Sequence, residues 1–188
     1  MYYTSENENY RKFIAKPLLL TSPHFERLLS DVKCCEYILR TIFRRDDIHV
    51  IESEIMLMTL LRPDSMWVQV KAKNDDGEPV SFGLQLESEF MEDMMVVLDE
   101  LVKRTKDSHE CYAVSFEQAD VLRLNKPMHV FNMCIKRKNG MFKGPSLAYV
   151  NVNATEEPYK SLFDDLKCNN PKKMRNEIIA DAVRKMKF

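Results

Sequence analysis

The segment from Met66 to Glu87 constrains the fold of this chain more than any other. Met66, Val68, Val70 and Ala72 alternate with Trp67, Gln69, Lys71 and Lys73. After Asn74-Asp75-Asp76-Gly77, Phe82, Leu84 and Leu86 alternate with Gly83, Gln85 and Glu87. A period of two sends alternate side chains to opposite faces of a strand, and Asp-Gly between two such runs is a strong hairpin signal. The segment therefore predicts an antiparallel pair with one apolar face and one mixed face. The mixed face is the one a catalytic or binding centre would use. A helix rich in Met and Leu is predicted next, over Phe90–Lys106, with Phe90, Met94, Val97, Leu98, Leu101 and Val102 as its apolar stripe.

The flanking segments extend this into a mixed α/β domain. Ser22-Pro23 reads as an N-cap with proline in the first turn of a short helix through Phe25 and Leu28. Val32, Cys35, Ile38, Leu39, Ile42 and Phe43 recur at helical spacing, with Arg44 and Arg45 placed in the last turn to complement the helix dipole. Extended stretches are predicted at Ile48–Ser53, Ile55–Leu61, Cys111–Phe116, Met128–Ile135 and Leu147–Val152, and closing helices at Glu156–Leu166 and Pro171–Lys187. Helices, a meander, a long helix, more strands and more helices predict a central sheet flanked by helices. Residues 1–20 read as an N-terminal arm and 21–188 as the domain.

Bulk properties narrow the function classes. The chain has 188 residues, 45% of them hydrophobic and 30% charged, which suits one domain with a real core. A net charge of −1 gives no general attraction to nucleic acid or to an acidic membrane. No apolar run is long enough to cross a bilayer, and the first residues lack a signal-peptide pattern. Five cysteines without CxxC spacing argue against a disulfide framework and a zinc site. The expectation is a reduced, cytoplasmic protein. The four histidines have no ligand-like spacing, and four glycines leave little room for a nucleotide-binding loop.

The opening FERLLSDVKCCEYILRTIF, the hairpin around Gln69 to Gln85, the later HVFNMCIK and LAYVNVNATEE, and the closing EIIADAVRKMK together resemble the PD-(D/E)XK nuclease family transposases, which include recombination-promoting nucleases. The likeness runs from about Phe25 to Phe188. It implies a restriction-endonuclease-like mixed sheet, and a mobile-element or phage setting. That family's hairpin reads approximately R-x-D, about a dozen residues, then I-E-x-Q. Here Trp67 stands at the arginine, Gln69 at the aspartate and Gly83 at the glutamate, and only Gln85 matches. Mg²⁺ needs anionic oxygen ligands, which Gln and Gly do not supply. The resemblance thus implies a degenerate, catalytically inactive member with vestigial positions Gln69, Gly83 and Gln85, no metal and no cofactor.

Such a chain is expected to act as a binding module on a protein or nucleoprotein. A host nucleic-acid-processing system such as a CRISPR effector is the setting the mobile-element link suggests. Candidate contact residues are Arg104, Lys136, Arg137, Lys138 and Lys143. Two alternatives stay open. Glu87, Asp64, Glu52 and Glu54 would rebuild a displaced metal site in a working nuclease. Alternatively, the basic clusters, with Tyr112, Tyr149 and Tyr159 as stacking faces, would bind nucleic acid without cutting it, although the acidic run from Glu87 to Glu100 opposes phosphate. The methionines Met91, Met94 and Met95 read as core, with the alternative that some of them, or Met56, Met58 and Met66, form an adaptable partner surface.

Overall fold

The computed structural model describes residues 18–21, 23–57, 66–86, 91–104, 110–118, 120, 122–137 and 140–186, and leaves aside the side chains of 18, 91–93, 104, 135–137 and 140–143. The elements are a 3₁₀ turn at Leu18–Leu20, α1 (His24–Ser30), α2 (Val32–Phe43), β1 (His49–Leu57), β2 (Met66–Lys73) and β3 (Pro79–Leu86). There follow α3 (Met91–Arg104), β4 (Glu110–Glu117), β5 (Met128–Arg137), β6 (Gly140–Asn151), α4 (Tyr159–Leu166), a 3₁₀ turn at Pro171–Lys173 and α5 (Glu177–Lys185). The strands form one sheet in the order β1-β2-β3-β4-β6-β5. β1, β2 and β3 make an antiparallel meander, β4 runs parallel to β3, β6 parallel to β4, and β5 folds back on β6. This is a mixed α/β fold with a central sheet flanked by helices.

The hairpin forms as its turn chemistry requires. Gly77 adopts φ 80°, its N–H donates to the Asn74 carbonyl, and the Asn74 side chain accepts the Glu78 N–H. Val68 then opposes Leu84, and Val70 opposes Phe82. One face of the sheet carries Val68, Val70, Phe82, Leu84, Val114, Phe116, Ala148 and Val150 against α1, α2, α4 and α5. Phe116 is fully buried there, with Phe25 meeting it edge-on at 4.9 Å and Phe163 at 6.5 Å. Leu19 and Leu20 belong to the same core, so packing begins ahead of residue 21.

Helix ends follow local chemistry with tertiary additions. Asp31 caps α2 by accepting the Cys34 N–H at 3.1 Å, and Lys185 from α5 donates to its other oxygen at 2.8 Å. Burial alone would raise the Asp31 carboxyl, but Lys185 and the Cys34 amide outweigh it and hold it below the ordinary range. α2 stops at Phe43. Arg44 turns left-handed at φ 52°, while Arg45 leaves the helix to pair with Asp47 and Glu110. Arg44 pairs with Glu156 and lies over the Tyr159 ring at 5.2 Å, and the Tyr159 hydroxyl donates to the Ile42 carbonyl.

Several boundaries differ from the sequence reading. Ile48–Ser53 and Ile55–Leu61 are not two stretches: β1 runs from His49 through Leu57 and absorbs a register shift between Val50 and Glu52. The closing helix is broken, because buried Asp165 accepts the N–H groups of Arg175 and Asn176, and Asn176 then caps α5. β6 begins at Gly140 rather than Leu147, and α4 begins at Tyr159 rather than Glu156. The Ser22 cap, Phe90 and Met58 lie outside the described residues. Among the described residues no helix is long and apolar enough to cross a membrane.

Candidate functional site

The second face of the sheet lies under α3 and holds the three positions singled out from the hairpin. Gln69 and Gly83 are direct partners across β2 and β3, and Gln85 lies two residues beyond Gly83 on the same face. A Cβ at residue 83 would stand 2.6 Å from Val97 Cγ1 and 3.2–3.3 Å from the Trp67 ring. Glycine is therefore required here for the close approach of α3. Trp67, Met94, Val97, Leu98, Leu101, Ala113, Leu147 and Tyr149 form the apolar cluster that fills this region. Gln69 and Gln85 sit at its edge, 6% and 5% exposed, and neither carboxamide hydrogen-bonds to a described residue. Two methionines divide as their exposure dictates: Met94 is buried and Met95 is 40% exposed. Val102, assigned to the stripe from sequence, is 42% exposed.

The displaced carboxylates are only partly described. Glu87 and Asp64 lie outside the described residues. Glu54 opposes Gln69 across β1 and β2, while Glu52 accepts from Lys71 at 2.7 Å, and that hydrogen bond holds its carboxyl below the usual range. Among the described residues, no three His, Cys, Asp or Glu side chains are grouped to hold a metal ion.

Sequence reading missed a polar row across this face. Register places Gln85 beside Ser115, Ser115 beside Tyr149, and Tyr149 beside His129. Ser115 is fully buried and donates to Glu117, itself 7% exposed. Burial, with the nearby Glu117 carboxylate, pushes the Tyr149 phenol up. His129 Nε2 meets Asp120 at 3.1 Å. Burial would raise Asp120, but the Asn125 amide and His129 outweigh it and hold the carboxyl low. The row sets hydroxyl, carboxylate, phenol, imidazole and carboxamide groups side by side on this face. The signal for it was present, since Ser115 and Glu117 break the apolar alternation of ECYAVSFE on the face shared with Ala113.

Four of the five candidate contact residues gather at one end of the sheet by backbone placement. α3 crosses from the end of β3 to the start of the parallel β4, so Arg104 closes the helix at the β4 N-terminal edge. β6 pairs with β4 only from Ser146 onward, whereas β5 and β6 pair out to Arg137 and Gly140. The β5–β6 hairpin therefore overhangs that same edge, and Lys136, Arg137 and Lys143 occupy the overhang. The side chains of these three and of Arg104 are not described, and Lys138 lies outside the described residues. Residues 121–155 carry six Lys and Arg and no Asp or Glu, so with a net charge of −1 the rest of the chain sums to −7.

No protein-family model, curated protein or solved structure shows a significant match to this chain.

Proposed function

We propose that this chain is a nuclease-like scaffold that does not cut and that works by occupying a protein or nucleoprotein target. The observation that carries this reading is the closed space at Gly83. A carboxylate at that position, where the PD-(D/E)XK resemblance puts a metal ligand, would collide with Val97 and Trp67. The element order supports the same scaffold: a hairpin is followed by a helix that crosses to a parallel strand. With Gln69 and Gln85 uncharged beside it, the three vestigial positions offer a divalent ion no anionic ligand.

The docking surface in this reading is the overhanging β5–β6 hairpin with the end of α3, at Arg104, Lys136, Arg137 and Lys143, and Lys138 is the further candidate from sequence. The class of target is a host nucleic-acid-processing assembly such as a CRISPR effector, reached in the cytoplasm. The direct test incubates the chain with supercoiled plasmid in Mg²⁺ and in Mn²⁺, then with a reconstituted CRISPR effector and its DNA target. Intact plasmid and a blocked effector are the expected results. Metal-dependent nicking that disappears in Glu87→Ala overturns the proposal in favour of a displaced nuclease site.

One observation favours a second reading, in which the same hairpin binds nucleic acid without cleavage: the 35 residues from 121 to 155 lack any acidic side chain. In that case a gel shift would weaken steeply as salt rises, since released counterions drive such binding.

A further inference from the structure

Beyond the carboxyl ends of β4 and β6, the segment 125–127 and the turn 151–156 line a cleft of about 230 Å³. Open α/β sheets bind ligands past the carboxyl ends of their parallel strands. The loop wall is held in an unusual shape. Asp120 accepts the N–H groups of Leu122 and Asn125, at 3.2 and 2.5 Å, and Arg123 and Asn125 both take left-handed backbone angles, φ 54° and 51°. Non-glycine residues in that region are uncommon and concentrate at ligand sites. The Asn151 N–H donates to the Pro127 carbonyl, which fastens the two walls together.

Each polar side chain left over in the cleft can donate. The Asn151 side-chain carbonyl is already used by the Asn153 N–H at 2.9 Å, leaving its amide hydrogens. Lys126, Asn125 and Thr155 also line the cleft, and none of their side chains hydrogen-bonds to a described residue. Glu156 is the lining carboxylate, and Arg44 pairs with it. Behind the wall, Lys167 donates to Asn153 at 2.6 Å, and burial holds that ammonium below its usual range. An anion nearby would offset that cost.

We infer that this cleft is a binding site for a phosphate group, held by Lys126, Asn125, the Asn151 amide and the Thr155 hydroxyl. The charge of Lys126 selects an anion, and three further neutral donors suit tetrahedral oxygens better than a bare halide. The volume admits the phosphate together with a small attached group. The site is independent of the α3 face, so it stands whether or not that face is catalytic.

The test titrates inorganic phosphate into the full isotope-labelled chain at constant ionic strength and follows the backbone amides by NMR. Saturable shifts centred on Asn125, Lys126, Asn153 and Thr155 are expected, with affinity at least about tenfold weaker in Lys126→Ala, as for a lost charge-assisted contact. Lys172→Ala, at an exposed lysine elsewhere, is expected to leave the titration unchanged. Because Asn151 also shapes the turn, Lys126→Ala and Thr155→Val, both at exposed positions, keep the test decisive if Asn151→Ala fails to fold. Shifts that do not saturate, that persist equally in Lys126→Ala, or that acetate reproduces at the same concentration would each overturn the inference.

Discussion

The two faces of the sheet are built on different principles. The face covered by α1, α2, α4 and α5 is apolar from Val50 to Val152, with aromatic rings in edge contact; of the two carboxylates buried beside it, Glu26 and Asp165, the latter is answered by two backbone N–H groups. The face under α3 mixes a small apolar cluster with Gln69, Gln85, Ser115, Glu117 and His129. Burying polar groups costs stability unless each finds partners, so a chain selected only for folding has no reason to place them there. The contrast assigns the main apolar core to one face and the buried polar row to the other.

Removing a ring from the stable face gives the largest expected change. Phe116→Ala leaves a cavity between Phe25 and Phe163 and is expected to cost about 3–5 kcal/mol in urea unfolding. A loss below about 1 kcal/mol would mean that this face is not the main source of stability. Next is Gly83→Ala, where one methyl against Val97 is expected to cost about 1–3 kcal/mol. Val97→Ala in the same chain should recover part of that loss. Failure to recover would show that something other than the helix approach demands glycine.

Asp31 provides a smaller effect with a defined pH signature. Its carboxyl is depressed in the fold, so its contribution is present above the unfolded value near 4 and lost as pH falls through the lower folded value. Asp31→Ala should cost about 1 kcal/mol at neutral pH, the usual worth of an N-cap, and the gap from wild type should close below about pH 4. Equal gaps at both pH values would remove the carboxylate's charge from the account. Smallest is Gln85→Met. A side chain of similar volume at this edge of the apolar cluster is expected to change stability by about 0.5 kcal/mol or less. A large loss would make Gln85 a structural residue and weaken the contrast between the faces.

How far the sequence carried this picture depends on whether each cause was local. The hairpin from Met66 to Leu86 was legible because its turn residues and its period of two act within a few positions. α2 was legible from its apolar stripe, whereas its cap at Asp31 was found only in the structure. The break before α5 was not, because the group that stops the chain is Asp165, ten residues upstream and visible only once α4 has folded. The alternating pattern of the hairpin marks a candidate face but cannot show what covers it. Gly83 reads as a missing ligand when set beside the resemblance, while its steric partner, Val97, sits on the following helix. The row at Ser115, Glu117 and His129 depends on strand order, with β6 between β4 and β5, and no local pattern specifies that insertion.

The uneven distribution of charge along the chain has an effect at distances where no side chain touches anything. Six positive charges without a negative one fall between residues 121 and 155, against a sum of −7 elsewhere, so the charge of a nearly neutral chain is segregated along its sequence. Where such segregation also separates charge in space, the field of a charged surface turns a molecule before it arrives, which raises the fraction of collisions that begin in one orientation. Added salt shortens the reach of that torque to about 8 Å at physiological ionic strength. Its signature is an association rate that falls with salt while the dissociation rate holds nearly constant.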